Sequence, residues 1–172
     1  MSKRHRFILK NKIIYWEDLI EGSYFEYGHY EVNENEIIEF VTKYNPLPHH
    51  FDPISAQSSP LGVLCGSGLH TIGMAHKMLC DNFSTHTKLD AGRGIDKINM
   101  LAPVLLGDKL GVKLQVSKTL AHSTKKIRGW TFLSVVIYRG EGEIVMTLVI
   151  LFYFYADHKN AFRLELLKCF DS

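Results

Sequence analysis

Cysteine is scarce in this chain of 172 residues. Cys65, Cys80 and Cys169 are odd in number and widely spaced, and no Cys-x-x-Cys occurs. This argues against a disulfide framework or a zinc site and points to a reducing compartment, the cytoplasm. Excess charge is also small. A formal net charge of +2 gives no reason to expect a nucleic-acid partner. The start, Met1-Ser2-Lys3-Arg4-His5-Arg6, is basic, but no long apolar stretch follows it as in a secretory signal, and it reads as a solvated tail. Long hydrophobic runs are missing too. The longest, Ile144 to Ala156, is broken only by Thr147 and falls short of the about 20 residues that cross a bilayer as a helix. Membrane insertion is therefore not expected. There are no internal repeats, low-complexity tracts or linkers.

What remains has the balance of an ordinary globular protein, 46% hydrophobic and 22% charged, with length for one full core. We divide it into a basic segment 1–15, one domain over 16–156 and an extension over 157–172. Residues 24–32 read as a strand. Asn33 then opens a helix, since Asn33-x-x-Glu36 fits a capping box and Ile37, Phe40, Val41 and Tyr44 share one face. Pro46 ends it, because the residue before a proline disfavours helical angles. Asp52-Pro53 reads as a second helix start. A longer helix follows Gly68 to about Cys80, with Ile72, Ala75 and Leu79 facing inward.

In the second half the period changes. Leu110, Val112, Leu114 and Val116 alternate with Lys109, Gly111, Lys113 and Gln115, a half-buried strand. Further strands are predicted over 93–101, 127–139 and 143–156, the last two joined by the turn Arg139-Gly140-Glu141-Gly142. The run from Ile144 is apolar enough to predict burial on both faces. Phe162, Leu166 and Phe170 lie four apart, which predicts a short C-terminal helix able to cover the last strand. A long helix with several antiparallel strands gives the α+β class.

The segment Tyr44-Asn45-Pro46-Leu47-Pro48-His49-His50-Phe51-Asp52-Pro53 is a proline-rich loop holding a histidine between two helices. It resembles the active-site loop of the MaoC-like acyl dehydratases, which include the (R)-specific enoyl-CoA hydratases. Three more segments carry the resemblance in the same order: Ser59-Pro60-Leu61-Gly62-Val63-Leu64-Cys65-Gly66-Ser67-Gly68-Leu69-His70-Thr71, the stretch from Gly94 ending in Pro103-Val104-Leu105-Leu106-Gly107-Asp108-Lys109-Leu110, and Gly140-Glu141-Gly142-Glu143-Ile144-Val145-Met146. The resemblance as a whole covers roughly residues 16–155, most of the chain. The resemblance implies a hot-dog fold, a long central helix wrapped by a curved antiparallel sheet. It also implies a homodimer or higher homo-oligomer, acyl thioesters of coenzyme A or acyl carrier protein as substrates, and no metal or redox cofactor. The implied reaction is reversible addition of water to a 2-enoyl thioester.

Hydration needs a base for the water, a proton for C2 and stabilisation of charge on the thioester oxygen. On the family pattern His50 is the base, and the Gly68 backbone N–H, at a helix N-terminus, is the oxyanion donor. Ser67, Pro48, His49 and Leu64 are expected substrate contacts, Ser67 reading equally as a helix cap and His49 with the reservation that neighbouring loop side chains point apart. The chain departs from the pattern at the acid position, where it has Asn45. An amide orients or polarises but accepts no proton at ordinary pH. Three readings stay open: His50 acts alone at a reduced rate, another carboxylate has moved in, or the protein binds acyl thioesters without hydrating them. Asp52 reads better as a helix cap than as that carboxylate, and Asp108 as a turn residue. His70 and His76 are expected to be core or interface residues. Thioester hydrolysis, a third activity of such folds, lacks an evident carboxylate between Asn45 and Cys80 apart from Asp52.

Overall fold

The computed structural model describes residues 13–122 and 127–157. Most of the basic start and the expected C-terminal helix, with Phe162, Leu166 and Phe170, lie outside the described residues. The strands are β1 (Tyr24–Glu31), β2 (Leu89–Met100), β3 (Lys109–Ala121), β4 (Arg128–Arg139) and β5 (Glu143–Tyr155). They form one antiparallel sheet in the order β1-β3-β4-β5-β2. The helices are α1 (Glu34–Tyr44), α2 (Pro53–Gln57) and α3 (Gly68–Asn82). A central helix held by a curved sheet is the hot-dog arrangement.

The expected alternation in β3 is present: Leu110, Val112, Leu114 and Val116 are buried. They meet Leu133, Val135 and Ile137 of β4, which pair beside them. Burying each such aliphatic side chain contributes about 1.5–3 kcal/mol. Helix α3 packs on β1 and β3. Its inward face holds Thr71, Met74, Ala75, Met78 and Leu79, so the predicted stripe was right at Ala75 and Leu79, while Ile72 is only partly buried.

Four expectations need correction. β5 is buried on both faces over Phe152–Phe154 and not along its whole length: before that Met146, Leu148 and Ile150 are buried, but Thr147, Val149 and Leu151 are half-buried and Ile144 is exposed. The sheet is a single layer, and among the described residues nothing covers its outer face there. Tyr44 does not share the buried face of Ile37 and Val41; it is 61% exposed, in the last turn of α1. β2 begins at Leu89, earlier than residue 93, because it pairs with β5 from Phe154 onward. The packed body also begins before residue 16. Ile14 is buried, bridges to Thr87 and donates its N–H to His86 O at 2.8 Å.

The caps follow the sequence signals. Asn33 Oδ1 accepts from Glu36 N at 2.9 Å, while the Glu36 carboxylate is taken by the Tyr30 hydroxyl. Asp52 caps α2, accepting from Ile54 N and Ser55 N. The Ser55 hydroxyl and then its amide hold that carboxyl below the usual carboxylate range.

Candidate functional site

Pro46 and Pro48 fix the backbone between α1 and α2, and the chain makes one 3-10 turn over Pro48–His50. That turn brings His50 inside, where it is 9% exposed. His50 Nδ1 lies 2.9 Å from the Cys65 carbonyl oxygen. A carbonyl only accepts, so in the neutral ring Nδ1 carries the proton and Nε2 keeps a free lone pair. The backbone at Cys65 is itself fixed, since Cys65 bridges to Leu105 and Gly66 N donates to Val104 O at 2.8 Å.

Asn45 is the C-terminal cap of α1. Its Nδ2 donates to Ser67 Oγ at 3.0 Å. Ser67 precedes α3 and is 1% exposed, yet it makes no side-chain cap bond to the helix. Gly68 opens α3, where backbone N–H groups lack intrahelical partners. A Cβ placed on Gly68 would overlap the Met100 thioether, so Met100 lies directly over the start of the helix.

Asn45, His50, Ser67 and Gly68 all line one cavity of about 460 Å³. Its remaining wall is mostly apolar and includes Leu61, Met100, Leu101, Val104 and Met146. Pro48, His49 and Leu64 are not among the residues that line it. The expectation that His49 points away from His50 is not met: their rings lie 4.3 Å apart, centre to centre, at 48°. Asp52 does not line the cavity either, and among the described residues no carboxylate does.

Sequence reasoning missed the wall from Met100 to Val104 and Met146. The available signal was that two of the segments carrying the family likeness lie there. This wall is held from behind. Arg139 Nη1 donates to Pro103 O at 2.9 Å and contacts Asp108 Oδ2 at 3.1 Å, while Asp108 Oδ2 also accepts from Leu105 N at 2.8 Å. Asp108 is therefore the turn residue expected from the sequence.

His70, in the first turn of α3, is 8% exposed and stacks on Phe40 at 4.6 Å, nearly parallel. It lines a separate, smaller groove with Glu36, Glu39, Lys43 and Tyr44. Burial lowers its pKa, and the Glu36 carboxylate partly offsets this. His76 is exposed.

A histidine with a free Nε2 beside a helix N-terminus, in an apolar cavity of a hot-dog fold, places the chain among proteins built around a buried central helix and an adjoining histidine loop. The chain belongs to the MaoC like domain family, which matches residues 20–133. Among solved structures it is similar to a monoamine oxidase regulatory protein of Archaeoglobus fulgius, at 21% identity over 87% of this chain and 99% of that one, with a TM-score of 0.78. It is similar to a MaoC-like dehydratase of Rhodospirillum rubrum, at 22% identity over 84% and 98%, with a TM-score of 0.77. It is also similar to the R-hydratase PhaJ1 of Pseudomonas aeruginosa, at 19% identity over 84% and 88%, with a TM-score of 0.64. Among curated proteins none matches.

Proposed function

We propose that this protein is a hydratase or dehydratase of 2-enoyl and 3-hydroxyacyl thioesters, carried by coenzyme A or acyl carrier protein, and that it works at a reduced rate. The observation that carries this reading is the His50 Nδ1 bond to the Cys65 carbonyl, which leaves Nε2 free in the cavity that Gly68 opens. In the hydration direction His50 Nε2 takes a proton from water as the oxygen attacks C3. Negative charge moves to the thioester oxygen, where the Gly68 N–H holds it. The imidazolium then returns the proton to C2. Asn45 orients the water but takes no proton, which is the source of the lowered rate. The chemistry calls for no metal or redox cofactor.

The test is direct. Crotonyl-CoA and a medium-chain enoyl-CoA are offered, and loss of enoyl absorbance is followed. Turnover that vanishes in His50→Ala supports the reading, while unchanged turnover in that variant sinks it. A second reading, an acyl-thioester-binding protein without turnover, is favoured by the lack of a carboxylate among the described cavity residues. Saturable binding of the thioester with no chemistry would select it.

We also propose that two copies pair through β2. It is an edge strand exposed from Ala91 to Met100, with Ile95, Ile98, Met100 and the adjoining Leu101 open to solvent. Met100 and Leu101 line the cavity as well, so such pairing would lie beside the site. Sedimentation velocity across a range of concentrations tests it. A single monomer species at all of them would end the proposal. A cytoplasmic setting fits the chemistry of such thioesters. Among the described residues no helix is long and apolar enough to cross a membrane.

A further inference from the structure

Ser67 is the least exposed polar side chain of the cavity, at 1%, and the direction of its hydrogen bond is unusual for its place. A carboxylate at position 45 could only accept, so it would draw the Ser67 hydroxyl proton onto itself. Asn45 does the opposite: its Nδ2 donates and Ser67 Oγ accepts, at 3.0 Å. The hydroxyl proton of Ser67 is then left over. The Ser67 hydroxyl makes no bond to its own helix, and among the described residues no acceptor takes this proton. The remaining direction is the cavity that Ser67 lines with Gly68.

We infer that the amide at position 45 turns the Ser67 hydroxyl into a hydrogen-bond donor for the thioester carbonyl, so that Ser67 Oγ–H and Gly68 N–H form a two-donor seat. This inference rests on the acyl-thioester reading above and adds a binding role that the reading does not require. The two donors come from consecutive residues at the end of a helix, and both face a cavity with a mostly apolar wall, where such bonds are stronger than in water. The exchange of acid for amide thus has two opposite consequences. It removes a proton acceptor, and it strengthens the grip on the carbonyl. Such a site holds thioesters well and converts them slowly.

The experiment uses butyryl-CoA carrying 13C at the thioester carbonyl. This saturated ligand cannot be hydrated, so binding is read apart from turnover. Infrared difference spectra of the complex report the carbonyl stretch, which falls as donors polarise the bond. The full chain is compared with Ser67→Ala and Asn45→Asp, with affinity measured by calorimetry. The inference expects the band in the native protein to lie below that of either variant, and affinity to drop about tenfold in Ser67→Ala, the upper end for losing one neutral hydrogen bond. Asn45→Asp is expected to shift the band towards that of Ser67→Ala while raising hydratase turnover, a divergence that a merely structural serine does not produce. A band identical in all three proteins overturns the inference and leaves the hydratase reading standing. Failure of the native protein to bind butyryl-CoA overturns both. Should Ser67→Ala not fold, Asn45→Asp decides: an unshifted band counts against the inference and a raised one supports it.

Discussion

Arg139 Nη1 reaches Pro103 O at 2.9 Å from the far end of β4, and the same guanidinium binds both Glu143 carboxylate oxygens, at 2.9 and 2.8 Å. One side chain thereby ties the β4–β5 turn to the Pro103–Asp108 turn that backs the cavity wall. Only the Arg fork satisfies three acceptor groups in this way.

Arg139→Ala is therefore expected to destabilise the fold by about 1–3 kcal/mol, because the Pro103 carbonyl and Asp108 lose a charged donor. Urea unfolding measures it, as a lower midpoint with an unchanged slope. Arg139→Lys should recover part of the loss and not all, since an ammonium cannot span all the acceptors. An unchanged midpoint in the alanine variant would mean the wall stands without this tie.

Asn45→Asp is expected to raise hydration of crotonyl-CoA by at least about tenfold, because a positioned acid or base contributes about 10²–10⁴ in rate. Initial rates at fixed enzyme concentration check it. If the rate stays flat, the missing acid is not what limits the site.

Gly68→Ala separates stability from function. The new Cβ would meet the end of the Met100 side chain, which is flexible and can swing aside. Alanine also favours helix over glycine by about 1 kcal/mol. Thermal unfolding is expected to stay within a few degrees of the native protein, while thioester binding falls sharply because the methyl and the displaced thioether fill the carbonyl seat. A large loss of thermal stability would show that the helix start is packed too tightly for Met100 to move.

His70 makes stability depend on pH. Its folded pKa lies below the ordinary histidine value of about 6.5, through burial, with Glu36 acting the other way. The unfolded chain thus binds the proton more readily than the folded one. Stability should fall as pH drops below about 6.5 and level off only below the folded pKa. Lys43, Glu36 and Glu39 also line this groove, so the comparison needs His70→Phe, which keeps them all. Urea midpoints across pH 5–8 should show a smaller slope in that variant.

Much of this was readable in advance where one local rule sufficed. Asn33 caps α1 and Asp52 caps α2 because a short acceptor side chain beside free helix amides has few alternatives. Leu110 to Val116 alternate because one face of β3 meets the core. What could not be read depends on distant partners. Leu89 to Arg93 carry no apolar alternation; they are strand because β5 offers them a partner. Tyr44 fits the helical stripe, but at the end of α1 its ring meets Phe40 at the rim of the His70 groove and stays 61% exposed. The rings of His49 and His50 converge because the loop winds into a 3-10 turn, a detail the two prolines permit without dictating. The bond from His50 to the Cys65 carbonyl spans fifteen residues, and no spacing rule encodes it.

An amide that never ionises also simplifies how this centre responds to acid. Two cooperating groups of opposite protonation produce a bell when rate is plotted against pH. With Asn45 beside His50, position 45 adds no ionisation of its own to the rate at ordinary pH. Asn45→Asp should introduce a limb into the plot of rate against pH that the native protein lacks.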